Sequence, residues 1–311
     1  MCQFLSPKGG KILISAILAI LVVARAFASA DTIPPKNTDR KRLCFTLTAT
    51  AAAWGGGMLL LNEAWYKNYP RSSFHFYNDM GQWYDMDKTG HLFSSYTLSL
   101  AGMHLMRRTG MESQKAAWIG GLYGPVFLST IEILDGFSEE WGFSVPDMAF
   151  NIAGSAIAVS QELLFGRQVA RIKYSYRESG LAHYRPDALG SNLPGRMLKD
   201  YNGQTHWLSV SPGRFPGEGT PIPPWLGIAI GYSAHGLLGG SSNPSEFDGR
   251  ELPHYERYRR FIISPDLDLS EIETGSEIIN RALRLLNFLK VPAPAVEFNR
   301  VDGIRFHILF F

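Results

Sequence analysis

The sequence predicts a mainly α protein, an antiparallel bundle of about four apolar helices that is membrane-embedded or membrane-associated. A smaller C-terminal region of short β-strands and one amphipathic helix follows it. Three observations predict this. Apolar stretches at 43–61, 92–106, 116–134 and 148–165 alternate with polar connectors. Charged residues make up 19% of the chain and aromatic ones 13%, where a soluble domain carries about 25% charge. Acidic and basic side chains also segregate to opposite ends of the predicted bundle.

The 311 residues divide into 1–30, a signal peptide or N-terminal anchor; 43–173, the helical bundle; and 174–311, a loop-rich region with β-strands. At the start, Lys8 and Lys11 precede the apolar run Ile12–Val23, and Ala28-Ser29-Ala30 supplies small residues before Asp31. A basic start, an apolar middle and a small-residue exit form the pattern of an export signal. The cysteines, Cys2 and Cys44, are too few for a disulfide framework, and Cys2 lies too early to be a lipid-attachment site. With 30 basic and 28 acidic residues the net charge is +2, which argues against a nucleic-acid partner.

The apolar segments are moderate in character. They carry Gly55-Gly56-Gly57, Pro125, Asn151, Gly154 and Gln161, and each falls short of the ~20 residues that span a bilayer comfortably. Small residues at such positions let helices approach closely, as in membrane bundles. A buried four-helix bundle in a soluble protein is the alternative. If the helices run antiparallel, one end gathers Glu63, Asp79, Asp85, Asp87, His91, Asp135, Glu139, Glu140 and Asp147, with Lys67, Arg71 and Lys88 as its only basic residues. The other gathers Arg40-Lys41-Arg42, Arg107-Arg108, Lys115, Arg167, Arg171 and Lys173. The positive-inside rule places that basic end in the cytoplasm, whereas an export signal places it outside. The expected setting is the bacterial cell envelope, at a membrane or its periplasmic face, with inner and outer membrane both open. Trp65, Tyr66, Tyr69, Phe74, Phe76, Tyr77, Trp83 and Tyr84 read as an interfacial aromatic belt.

The acidic end holds the candidate chemistry. Asp87 and His91 share a helix face at four-residue spacing, and Lys88 lies three before His91. Glu132 and Asp135 are three apart, and Asp147 and Asn151 four apart. Ser144 suits a helix N-cap and Pro146 a first turn. The candidate catalytic residues are therefore His91, Glu132, Asp135 and Asp147, supported by Asp87, Lys88, Ser144 and Asn151. Carboxylates and an imidazole gathered near an apolar boundary serve either acid/base work or a hard or borderline cation. A salt-bridge network between helix ends would use the same residues. No phosphate loop, nucleophile elbow or H-E-x-x-H motif occurs, so the sequence names no cofactor.

In the last third, residues 174–225 read as ordered loop with short strands, and 225–233 as a strand lying close to another backbone. Residues 261–263 and 303–311 are further strand candidates, and 277–290 an amphipathic helix. The chain ends in Phe310-Phe311, an ending found on outer-membrane barrels, but too few strands are visible to close one.

The run Asp87-Lys88-Thr89-Gly90-His91 with Tyr96, then Glu132-Ile133-Leu134-Asp135-Gly136-Phe137-Ser138, Gly142-Phe143-Ser144-Val145-Pro146-Asp147-Met148 and Asn151-Ile152-Ala153-Gly154, resembles the uncharacterised YfiM-like family of predicted periplasmic lipoproteins. More distantly it looks like the VanZ-like membrane proteins, with their D-K-x-x-H, glutamate and D-x-x-x-N-x-x-G elements. The resemblance covers residues 62–165 and implies an envelope setting without a settled activity. Two functional readings stand beside that of an unassigned envelope protein. One is an enzyme acting on a lipid-linked or cell-wall substrate; the other is a scaffold that binds a partner through its C-terminal region. Membrane lipid is the expected partner in each.

Overall fold

The computed structural model describes residues 37–64, 70–215 and 221–311. The expected signal segment 1–30, and Trp65, Tyr66 and Tyr69 of the aromatic belt, lie outside the described residues. In chain order the elements are α1 (Arg40–Ala64), β1 (Phe76–Tyr77), α2 (Met86–Arg108), α3 (Ser113–Gly121), α4 (Tyr123–Asp135), β2 (Phe143–Ser144), α5 (Val145–Phe165), β3 (Ala170–Tyr176), α6 (Pro186–Leu189), α7 (Leu193–Lys199), β4 (Gln204–Val210), β5 (Leu226–His235), β6 (Glu246–Phe247), β7 (Arg250–Glu251), β8 (Tyr258–Leu267), α8 (Glu277–Leu286), β9 (Ala293–Asn299) and β10 (Gly303–Phe310).

This corrects the predicted fold class. The described residues are 45% helix and 23% strand, with a six-stranded antiparallel sheet in place of short strands, and among them there is no bundle of four membrane-type helices. Among the described residues two stretches, Ser113–Asp135 and Val145–Phe165, are long and apolar enough to cross a membrane. The other two fail for a visible reason. α1 is built of Ala, Gly and Thr as much as of large apolar residues. α2 turns the polar Ser95 and Ser99 into its buried face. Strands β3 and β4 escape a periodicity reading because polar Lys173, Ser175, Gln204, Thr205, His206 and Ser209 are buried in them beside Ile172, Tyr174 and Trp207.

The chain forms two compact units. One runs to Asn78 and takes in Leu98–Val159; the other comprises Asp79–Thr97 and Ser160–Phe311. In the first, α1 starts where the Asp39 carboxylate accepts the backbone N–H of Lys41 and Arg42, at 2.9 and 3.2 Å. α2 and α3 cross at glycines: a methyl group on Gly120 would lie 2.2 Å from the Met103 nitrogen and 2.4 Å from the Gly102 carbonyl carbon. The break between α3 and α4 comes from Pro125, which has no N–H for the Gly121 carbonyl four residues earlier. That carbonyl instead accepts the Ser99 and Ser155 hydroxyls at 2.7 and 2.6 Å, and the helical ladder resumes with Val126 N–H to Leu122.

The second unit is an up-and-down meander in the order β10-β9-β8-β5-β4-β3, with every neighbouring pair antiparallel. β3 lies at one side of this order, and the stretch leading into β9 covers its outer edge: Tyr174 donates its N–H to Phe288 and accepts that of Lys290, both at 2.9 Å. On β5 the small residues Gly227, Ala229, Gly231 and Ser233 point inward, while Leu226, Ile228 and Ile230 point out. Gly231 is small because the Trp207 indole occupies the space: a Cβ there would come within 2.7 Å of the ring. Trp207, Ala229, Ile262, Ala295 and Phe310 form the apolar part of the interior.

The rest of that interior is ionic. Asp266 meets Lys173 at 2.8 Å and Lys290 at 3.7 Å and accepts the Ser209 hydroxyl at 2.5 Å. Burial pushes the Lys290 ammonium down to about 8, against the pull of Asp266. Asp268 pairs with Arg171 at 2.9 Å and Arg214 at 3.3 Å. Burial raises its carboxyl, but Arg171, the Ser270 hydroxyl and Arg214 outweigh that and hold it at about 2.

Candidate functional site

Of the predicted residues, Asp87, Lys88 and His91 belong to the second unit, and Glu132, Asp135, Ser144, Asp147 and Asn151 to the first. In the second unit, Asp87, Lys88 and His91 occupy the first turns of α2. The backbone leading into that helix is strained: Trp83, Tyr84 and Asp85 have φ of +50°, +53° and +61°, the left-handed region that residues with a Cβ avoid. Each such residue costs on the order of 1–3 kcal/mol and persists where its surroundings over-determine it. Here the surroundings do so. The Trp83 N–H bonds to the Gly240 carbonyl at 2.8 Å, and the Tyr84 carbonyl accepts the Tyr232 hydroxyl. The guanidinium carbons of Arg257 and Arg259 lie over the Tyr84 ring, 5.0 and 4.5 Å from its centroid. Asp85 accepts the Gly81 N–H at 2.7 Å and pairs with Arg259 at 3.0 Å.

The turn delivers a polar cluster. Asp87 Oδ1 stands 3.8 Å from His91 Nε2 and accepts the Tyr201 hydroxyl at 2.9 Å. Its other oxygen meets Lys88 Nζ at 3.2 Å, and Lys88, fully buried, also meets Asp79 at 2.7 Å. Burial works to raise the Asp87 carboxyl, but His91, Lys88 and Tyr201 together bring it below its ordinary value. Beneath the helix, Thr89 donates to the Met86 carbonyl at 2.8 Å and lies 2.9 Å from His206 Nδ1. Burial pushes His206 down to about 3, so its ring is neutral at physiological pH. Because the Thr89 proton is already committed to Met86, Nδ1 of His206 is the donor to Thr89 Oγ1, and Nε2 carries the free lone pair.

In the first unit, Glu132, Ser144, Asp147 and Asn151 are buried and Asp135 is half-buried. Glu132 accepts the Ser144 backbone N–H at 3.2 Å, and the Ser144 hydroxyl accepts that of Asp147 at 3.1 Å, so Ser144 is the N-cap of α5. Pro146 and Asp147 occupy its first turn, where a carboxylate complements the helix dipole. Beside it, β1 and β2 pair in parallel and bring together Phe74, Phe76 and Phe143, with centroids 5.4–5.7 Å apart. Gly136 and Gly142 leave room for the Phe74 and Tyr77 side chains, and His75 Nε2 lies 2.6 Å from the Trp141 carbonyl. Phe74, Phe76 and Tyr77 remain exposed.

Asp79, Thr89, Tyr201 and His206 also belong to the cluster around Asp87 and were not among the candidate site residues read from the sequence. Tyr201 and His206 lie more than a hundred residues from Asp87, and no local spacing links them. Asp79 was legible as part of the acidic connector, though not as the partner of Lys88.

No curated protein and no solved structure matches the chain. The VanZ-like resemblance likewise finds no support in the comparisons. Residues 75–162, which carry all the predicted site residues, match the model of a family described as predicted periplasmic lipoprotein (DUF2279), and this similarity is consistent with a place in the cell envelope, at a membrane or its periplasmic face.

Proposed function

We propose that the chain is a cell-envelope enzyme whose reaction turns on proton transfer at His91, with Asp87 as the group that orients and charges the imidazole. The observation that carries this reading is the Asp87–His91 pair itself, set at the mouth of a helix by three consecutive left-handed residues. Strain of that kind accumulates where a side chain must be aimed. A carboxylate fixed by Lys88 and Tyr201 beside an imidazole is the arrangement general acid/base catalysis uses. His91 keeps part of its ring open to solvent, so a substrate can reach it. Lipid-linked or cell-wall material is the substrate class on offer in that compartment. Glu132, Asp135 and Asp147, with Ser144 and Asn151, remain part of the proposal as the second polar group of the family-matched stretch.

His91→Gln and Asp87→Asn, introduced at the native locus, test it against a deletion of the gene. The expected result is that His91→Gln reproduces the envelope defect of the deletion while the protein accumulates normally. Asp87→Asn should lose on the order of 10²–10⁴ of the activity that His91 supplies. A His91→Gln strain indistinguishable from wild type would overturn the reading.

A further inference from the structure

The meander in the second unit is inverted. A sheet with one solvated face turns its apolar side chains to the core and its polar ones to water. Here the ionic residues Lys173, Asp266 and Glu297 are buried, and the large apolar residues point out. The registers align these residues in rows across the strands. One row runs Ile172, Leu208, Ile230, Ile263, Val296, Phe306 and crosses the whole sheet.

The β3–β4 side of this face is covered within the unit. Phe93 of α2 stacks on Tyr174 at 5.5 Å, and Tyr96 reaches Gln168 and the Ala170 carbonyl. Over β5, β8, β9 and β10 it is bare: Ile230 is 55% exposed, Phe306 81% and Ile308 93%. A shallow groove of about 480 Å³ lies in it, between Ile228, Ile263, Pro265, Val296 and Phe306. Soluble surfaces scatter single apolar side chains; a continuous face over four strands marks a surface that is covered in use.

The chemistry along the strands says by what. At one end stand Arg259 and Arg300, both exposed, with Asp85 and Glu256 as partners. Next comes an aromatic row, Tyr232, Phe261 and Phe298, in register with Ile304. Then come two aliphatic rows, the one through Ile230 and Ile263 and the one through Ile228 and Pro265. Rows on one face lie two residues apart, about 7 Å at a rise of ~3.4 Å per residue. The aromatic and two aliphatic rows therefore cover about 15 Å, the hydrocarbon depth of a single leaflet. Charge, then aromatic ring, then aliphatic chain is the order met on passing from headgroup to acyl region. A second copy would set the arginine end against arginines or against bare aliphatic side chains. The nearby helix α8 leaves Ile278, Ile279, Leu285 and Leu286 exposed, a further apolar surface in the same unit.

We propose that the bare outward face of the β5-β8-β9-β10 sheet is a lipid-docking surface, which sets its arginines at the headgroups and its aliphatic rows, including Ile308, among the acyl chains of one leaflet. The site is separate from the Asp87–His91 pair and stands or falls apart from it.

The test uses the full chain with Cys2 and Cys44 replaced by Ser and one environment-sensitive fluorophore attached at Ile308→Cys or at Arg300→Cys. Each is mixed with vesicles of phosphatidylcholine and phosphatidylglycerol carrying spin labels near the acyl-chain ends or on the headgroups. The expected result is a several-fold rise in emission at 308, quenched by the acyl-chain label, with the fluorophore at 300 quenched by the headgroup label alone. A fluorophore at 308 that stays in water while the chain co-sediments with vesicles would overturn the proposal, as would failure to sediment. A rise at 308 that follows protein concentration without lipid would assign the face to a second copy and overturn it equally.

Discussion

At the residue scale, the Gly121 carbonyl shows how a helix break is repaired. Pro125 removes its backbone donor, and two serines from neighbouring helices, Ser99 and Ser155, replace it. Ser99→Ala or Ser155→Ala alone leaves one donor and should cost about 1 kcal/mol. The double variant orphans a buried acceptor and should cost about 1–3 kcal/mol beyond the first loss, measurable by urea unfolding. Asp87 makes a prediction in pH. Its folded carboxyl titrates below the ordinary 3.8, so its contribution to stability is complete above that value. The contribution fades as pH falls through the folded value. Wild type and Asp87→Asn should therefore differ most near neutral pH and converge in acid, which denaturant titrations across that range would show. The sequence made Ser144, Pro146 and the Asp87–His91 spacing legible, because caps and helix faces are local. It could not reveal that Trp83 and Tyr84 precede Asp85 in left-handed backbone, since bulky aromatic side chains disfavour that region. The force that holds them comes from Tyr232, Gly240, Arg257 and Arg259, far along the chain.

At the scale of elements, the α2–α3 crossing is set by Gly102 and Gly120, whose missing Cβ atoms let two backbones touch. Gly120→Ala should destabilise by about 1–3 kcal/mol or more, because the atoms it meets are backbone and cannot give way. Gly56→Ala in α1 has nothing within 4 Å and should stabilise by about 0.5–1 kcal/mol through helix propensity alone. Thermal unfolding of the two variants should move in opposite directions. Strand β5 was legible as a strand close to another backbone, from its alternation of large and small residues. Which face it buries was not, because the usual assumption that large apolar residues face inward fails here. Gly231 yields its space to Trp207, and the interior is furnished with Asp266, Lys173 and Lys290 instead. The amphipathic helix read over 277–290 is present as Glu277–Leu286, its apolar residues again outward.

At the scale of the molecule, the two units obey different rules. The first is helical, with glycine crossings and a serine-repaired break. The second is a sheet whose interior is held by ion pairs and whose exterior is apolar. If that exterior contributes nothing to the fold, Phe306→Glu with Ile308→Glu should leave the unfolding midpoint within about 0.5 kcal/mol of wild type in detergent-free buffer and raise solubility. A large loss of stability would mean the outward rows support the sheet after all. The closure of the sheet has a consequence in time. The edge of β3 is protected by the stretch around Phe288 and Lys290, which leaves the ribosome long after β3 itself. While the chain is being made, β3 is an unpaired edge waiting for its cover, open to pairing with any other extended chain. A nascent chain stalled before residue 288 should therefore aggregate or depend on a holding chaperone, and release from both should coincide with emergence of the stretch through Lys290.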